Sequence, residues 1–177
     1  MNILKKQSVA WVITAVMVVA AIAIGLTKAP AASTPEGPGG SYPDGSDSWY
    51  VYDNADVLSA STERTLRERN RQLYESMDVV IACVTTDYGR DDLYDFAMDY
   101  AERIGLGQYD FIVVLDISGE NYWLIQGSGL VDLFSDDDCQ AYAWDYMEGA
   151  FAQGDYGAAL LNLTQALADW YAGHYLT

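Results

Sequence analysis

The run VVIACVTT, from Val79 to Thr86, constrains this chain more than any other segment. It is β-branched through its centre and shows no apolar/polar alternation, so it reads as a strand buried on both faces, the pattern of an interior strand in a parallel sheet. Such a strand needs helices above and below it, and the flanking sequence supplies the material. WYVY at 49–52 is a short strand candidate. Ser59 is placed to N-cap a helix from Ala60 to Met77, with Leu66, Asn70, Leu73 and Met77 on one side and arginines on the other. Asp91 and Asp92 open a second helix, whose apolar positions Leu93, Phe96, Ala97, Tyr100, Ala101 and Ile104 recur at helical spacing up to Gly105.

Phe111–Ile117 and Tyr122–Gln126 are then separated by the polar turn Ser118-Gly119-Glu120-Asn121, which predicts an antiparallel hairpin. Ser135 with Asp138 three residues on predicts a helix running to about Ala152, and Asp155–Tyr175 forms the last helix. The order β-α-β-α-β-β-α-α defines an α/β protein, with helices layered on a small, mostly parallel sheet that carries one antiparallel hairpin strand.

This domain occupies 49–177 of the 177 residues. Ahead of it, Val9 to Leu26 carries no charge and, at 1.5 Å per residue, comes close to spanning a hydrocarbon core of about 30 Å. Lys5 and Lys6 precede the run, which puts the N-terminus in the cytoplasm and everything after Lys28 outside. A cleaved signal at Ala29-Pro30-Ala31 is the competing reading, although the apolar run exceeds the roughly 7–15 residues of a signal core. Either way the domain is exported; residues 1–28 are read as a single-pass membrane anchor or uncleaved signal. Residues 29–48 contain every proline of the chain among Gly and Ser, the composition of a flexible tether.

Charge narrows the function classes. The net charge is −17, every Asp and Glu lies after Pro35, and the only lysines are Lys5, Lys6 and Lys28. The domain's cations are Arg64, Arg67, Arg69, Arg71, Arg90 and Arg103, too few to attract a polyphosphate, so nucleic acid is excluded as a partner. The membrane and proteins of the cell envelope remain as partners.

If the first three strands are parallel, their carboxyl ends share one edge, where ligands bind in open α/β sheets. That edge receives Asp53 and Asp56 after the first strand, Asp87 after the second and Asp116 at the end of the third, with Asp91 and Asp92 close behind. Converging carboxylates repel one another, and a hard divalent cation, Ca²⁺ or Mg²⁺, relieves that repulsion. Asp after a strand is also a common turn or capping residue. Asp136-Asp137-Asp138 is explained by capping and the helix dipole alone.

Catalytic constellations and organic cofactors find little support. The single histidine, His174, sits near the C-terminus, and one His with two Cys makes no common zinc set. Cys83 reads as a small core residue, Cys139 follows three carboxylates that disfavour a thiolate, and a disulfide between them needs geometry that sequence does not contain. Tyr142, Trp144 and Tyr146, with Trp170, Tyr171 and Tyr175, are open to either core packing or an aromatic binding face.

The motifs VYDNADVLSASTERTL, VVIACVTT, YAERIGLGQYDFIVVLDI, Gly127-Ser128-Gly129-Leu130 and AFAQGDYGAAL occur in an order and spacing that resemble the TPM-domain family, from about Val51 to Tyr171. The resemblance implies a Rossmann-like α/β/α sandwich in an exported or membrane-attached protein. Family members look like thylakoid-lumen proteins linked to photosystem repair and bacterial exported proteins, some described as acid phosphatases or calcium binders. Asp53 and Asp87 match the family best. Asp56 departs from it, since many members have Gly there, and Tyr109-Asp110 replaces a frequent Asn-Gly. Two readings follow: a divalent-metal-responsive interaction or quality-control module at the cell envelope, and a weak metal-dependent phosphatase, with Arg90 as the residue that discriminates between them.

Overall fold

In the computed structural model, residues 50–89 and 91–175 are described, the Tyr175 side chain excepted. The predicted anchor, the tether, Trp49 and Arg90 lie outside the described residues. Among the described residues no helix is long and apolar enough to cross a membrane.

The elements are β1 (Val51–Asp53), α1 (Ala60–Met77), β2 (Ile81–Thr86), α2 (Leu93–Ile104), β3 (Phe111–Asp116), β4 (Asn121–Gln126), α3 (Asp136–Tyr142, continued by a π-helical stretch Ala143–Glu148 and a turn Gly149–Phe151) and α4 (Tyr156–Tyr175). They form an α/β fold around one four-stranded sheet in the order β1-β2-β3-β4. β1, β2 and β3 are parallel, and β4 returns antiparallel to β3, as the hairpin turn predicts.

Every residue of β2 and β3 is buried, which is the physical content of the unalternating VVIACVTT run. The odd residues Ile81, Cys83, Phe111, Val113 and Leu115 face a core shared with Leu66 and Leu73 of α1 and with Leu160, Leu163 and Leu167 of α4. The even residues Val80, Ala82, Val84, Ile112 and Val114 face Leu93, Phe96 and Tyr100 of α2. α1 and α2 therefore cover opposite faces while the strand order advances in one direction. Two such crossovers have opposite hands, so they are not both right-handed as the usual rule leads one to expect.

The strand expected from Val79 begins at Ile81, because the Val80 N–H is taken by the Asp110 carboxylate (2.8 Å) rather than by a neighbouring strand. Ile81 lies beyond the end of β1. There Asn70 of α1, buried on the apolar side of its helix, completes the sheet: its Nδ2 donates to Ile81 O (2.9 Å) and its Oδ1 accepts from Ile81 N (2.8 Å). The side-chain amide acts as one more residue of β1.

A single α-helix is expected over Ser135–Ala152, but its middle widens into π-helix. The buried residues Cys139, Ala143, Met147 and Phe151 recur every fourth position. At 3.6 residues per turn such a row drifts by about 40° per step, and the wider turns return it to the core. The Gly127-Ser128-Gly129 signature is also structural. A Cβ on Gly127 would lie 2.4 Å from Gln108 O, so the β4 exit can lie against the loop before β3 only with glycine there.

Replacing Asn70 by Ala leaves Ile81 N without its acceptor and Ile81 O with only the weak Cys83 Sγ donor (3.7 Å), and is expected to cost about 2–4 kcal/mol. Urea unfolding measures it, and a loss below about 0.5 kcal/mol would show that the bridge is dispensable.

Candidate functional site

The parallel strands do bring the acidic residues to one edge of the sheet. Their engagements differ. Asp53 Oδ1 accepts from Val57 N (3.2 Å) and Thr85 Oγ1 (2.5 Å), and Oδ2 accepts from Leu58 N (2.7 Å). Its carboxylate thereby shapes the β1–α1 loop and ties it to β2. Asp116 is buried, and its Oδ1 accepts from Gly89 N (3.1 Å) and Gly119 N (3.4 Å). Asp87 is exposed and accepts from the Ser118 hydroxyl, so Asp87 and Asp116 together lace the β2–α2 loop to the hairpin turn.

Asp56 is exposed, with φ at 54° in the left-handed region. A backbone in that region favours glycine, which has no Cβ to crowd the neighbouring carbonyl. Asp91 and Asp92 are exposed at the start of α2.

Among the described residues no three His, Cys, Asp or Glu side chains come together as a metal-holding group. One feature of the edge has no structural explanation. Thr86, paired in register with Asp116, is buried, and its Oγ1 has no hydrogen-bond partner among the described residues. An orphaned buried hydroxyl costs stability, and beside a buried carboxylate it is an oxygen donor of the kind a hard cation takes.

The remaining sequence candidates resolve into structural roles. Ser135 and Asp138 form the expected capping box, Asp138 N donating to Ser135 Oγ (3.3 Å) and Ser135 N to Asp138 Oδ2 (2.8 Å). The Ser135 hydrogen bonds hold the Asp138 carboxyl below its usual range. His174 is exposed and stacks on Trp170. Cys83 and Cys139 are free and buried, and burial is the main cause that pushes each thiol up to about 12. Tyr171 is core, its hydroxyl donating to Tyr109 O (2.5 Å), whereas Trp144 is 68% exposed.

A second feature, which the sequence reading did not single out, lies at the far side of the sheet. β4 is an edge strand, and a trough of about 730 Å³ runs over it. All six β4 residues line it. One wall is Tyr94 and Met98 of α2; the other includes Asp136, Cys139 and Gln140 of α3. Tyr94 and Trp123 meet edge to face with ring centroids 5.2 Å apart, and both are among the exposed large apolar side chains, with Met98 and Val131. An adjoining hollow shares Met98, Ile125 and Gln126 with the trough and adds Asp99, Glu102 and Asp110. Among the described residues neither hollow is lined by Arg, Lys or His.

The trough's far wall is held to β4 by side chains. Gln126 Nε2 donates to Asp136 Oδ1 (2.6 Å), Cys139 Sγ to Gln126 Oε1 (2.9 Å), and the Tyr122 hydroxyl to Glu148 Oε2 (2.7 Å). Burial first, then the Glu148 carboxylate, raises the Tyr122 hydroxyl above its ordinary range, so it remains a donor. The available sequence signal was YWLIQ, a strand with an aromatic pair and no following strand to cover it.

Together these features define an α/β domain with an acidic strand-end edge and a separate apolar trough. The chain matches the TPM domain over residues 51–170 and belongs to that family. No curated protein is significantly similar to it. Among solved structures it is similar to the N-terminal domain of a protein from P. gingivalis, with a TM-score of 0.65 and 26% identity over 72% of this chain and 84% of that one. The BA42 protein from the psychrophilic bacterium Bizionia argentinensis gives 0.58 at 17% identity, covering 68% and 85%. The N-terminal domain of cg2496 protein from Corynebacterium glutamicum gives 0.56 at 21%, covering 81% and 87%. These likenesses bear on the fold.

With φ at 54°, position 56 favours glycine over other residues. Asp56→Gly is expected to be about 1 kcal/mol more stable than Asp56→Ala in denaturant unfolding. Equal stabilities would show that the left-handed backbone is not imposed by the fold.

Proposed function

We propose that this chain is an interaction module of the cell envelope, held to the membrane outside the cytoplasm by the Val9–Leu26 segment and working through the β4 trough. The observation that carries this reading is the gathering of exposed Tyr94, Met98, Trp123 and Val131 around a recess at a sheet edge. Contiguous apolar surface rimmed by polar groups is characteristic of protein-binding sites, and aromatic residues with Met are enriched in interface cores. Assembly or quality control of exported proteins is the class of work that fits such a surface at that address.

The test is site-specific photocrosslinking in cells that express the full chain. A photoreactive residue in place of Trp123 is expected to give discrete protein adducts, and one in place of Gln72, exposed on α1, none. Equal yields at the two positions, or none at either, would remove the trough as the working surface.

A divalent cation enters this reading at the strand-end edge, and the orphaned Thr86 hydroxyl beside Asp116 is the observation that favours it. Ca²⁺ or Mg²⁺ there would draw Asp87 and Asp116 together, and with them the β2–α2 loop and the hairpin turn that leads into β4. Because the carboxylates are not already gathered, affinity is expected on the order of millimolar, the weak range of extracellular Ca²⁺ modules. Calorimetric titration of the full chain is expected to show this heat, and Asp87→Asn with Thr86→Val to abolish it. A flat trace for the parent would take the cation out of the account and leave the trough untouched.

A further inference from the structure

We infer that the β4 trough captures an extended, basic segment of a partner protein as a fifth strand of the sheet; this rests on the reading of the trough as the module's working surface. Phe111 N donates to Val80 O (3.1 Å) and Ile117 N to Thr86 O (2.8 Å), so the odd residues of β3 turn their main chain toward β2. Gly127 N donates to Asp110 O (2.8 Å), so the even residues turn toward β4.

Carried along the register Val114↔Trp123 and Ile112↔Ile125, Trp123 and Ile125 bond inward to β3. Tyr122, Leu124 and Gln126 direct N–H and C=O outward, into the trough. Asn121 Oδ1 accepts the Tyr122 N–H (2.8 Å). Among the described residues nothing accepts from or donates to the outward main chain of Leu124 or Gln126. Two donor–acceptor pairs thus stand about 7 Å apart, the repeat an incoming strand reads.

The surroundings distinguish this edge from an ordinary one. Edge strands are commonly shielded by Lys, Pro, a bulge or shortness. The opposite edge, β1, has three residues, whereas β4 has six and the sequence NYWLIQ, without Lys or Pro. Helices rise on both faces, so a segment laid against β4 would place alternate side chains toward Tyr94 and Met98 of α2 and toward Cys139 and Ala143 across the trough.

Charge selects the occupant. The carboxylates around the trough and its adjoining hollow are Asp99, Glu102, Asp110 and Asp136, no cation among the described residues lines either, and the chain carries −17. A second copy of β4 would bring the same carboxylates against one another, which like-charge repulsion opposes. A partner segment that alternates apolar side chains with Lys or Arg meets both the apolar floor and the acidic rim.

The test uses the full chain in detergent micelles and a fluorescently labelled, capped Val–Lys alternating decapeptide as probe, with a Val–Glu peptide beside it. The Val–Lys peptide is expected to bind at least about tenfold more tightly, with the difference shrinking as salt rises. It is also expected to slow hydrogen exchange at Leu124 and Gln126. A Val–Lys peptide N-methylated throughout its central residues, unable to pair by either edge, is expected to lose binding.

On the protein side, Gln126→Ala and Gln126→Pro lose the same side-chain contacts, but only the proline also removes the outward N–H. Whatever the shared loss of side-chain contacts costs, binding about tenfold weaker in the proline variant than in the alanine variant is expected. Circular dichroism checks the fold of the proline variant; should it unfold, the N-methylated peptide decides. Undiminished binding of that peptide, or no binding of the parent Val–Lys peptide, overturns strand addition. Photocrosslinked adducts at position 123 together with either result would show that the trough still binds partners by another mode; absent adducts would remove the module reading itself.

Discussion

β2 and β3 contain no exposed residue, and a strand pair buried on both faces makes four demands at once: a cover above, a cover below, and a neighbour on each side. α1 and α4 meet the first, α2 the second. The neighbours are unequal. On one side β1 pairs over only three residues and Asn70 stands in where it ends. On the other, β4 pairs with β3 over its whole length and, among the described residues, has no further neighbour. One edge of the sheet is thus a three-residue strand extended by a side-chain amide, the other a full six-residue strand, and the trough lies along the longer edge.

The same asymmetry orders the carboxylates of this acidic chain. At the strand-end edge Asp53 and Asp116 accept main-chain N–H groups and set loop shape. Charge-assisted bonds of this kind are strong, and they explain why Asp follows these strands without any appeal to a ligand. Around β4 the acidic side chains Asp99 and Glu102 are exposed on α2 beside apolar surface. There they leave the turns of the backbone alone and give the proposed docking surface its negative charge. Among the described residues, the unpartnered Thr86 hydroxyl is the one buried polar group at the strand-end edge that loop shape leaves unexplained.

Much of this was legible in the sequence, because its signals are local. The β-branched VVIACVTT run, the Ser59 cap, Gly105 at the end of α2 and the Ser135–Asp138 box each mark an element through chemistry confined to a few residues. What was not legible depends on distant partners. β2 starts late because Asp110, thirty positions away, takes the Val80 amide. The π-helical stretch answers to the core that a four-residue apolar row must reach. The sequential strand order with helices on opposite faces, and hence the opposed crossover hands, follows from packing that no periodicity encodes. The left-handed backbone at Asp56 leaves no signature in a sequence that has Asp there. β4 looked like any hairpin strand until the sheet showed it to be an edge.

The claim on which the account turns is that the outward main chain of β4 is open in the free protein. Residue-resolved amide hydrogen exchange on the full chain, without any added ligand, reads this directly. The account predicts alternation along the strand: Trp123 and Ile125, bonded to β3, exchange slowly, while Leu124 and Gln126 exchange quickly. Uniformly slow exchange from Trp123 to Gln126 would contradict it, because the edge would then already be covered and no fifth strand could be admitted there.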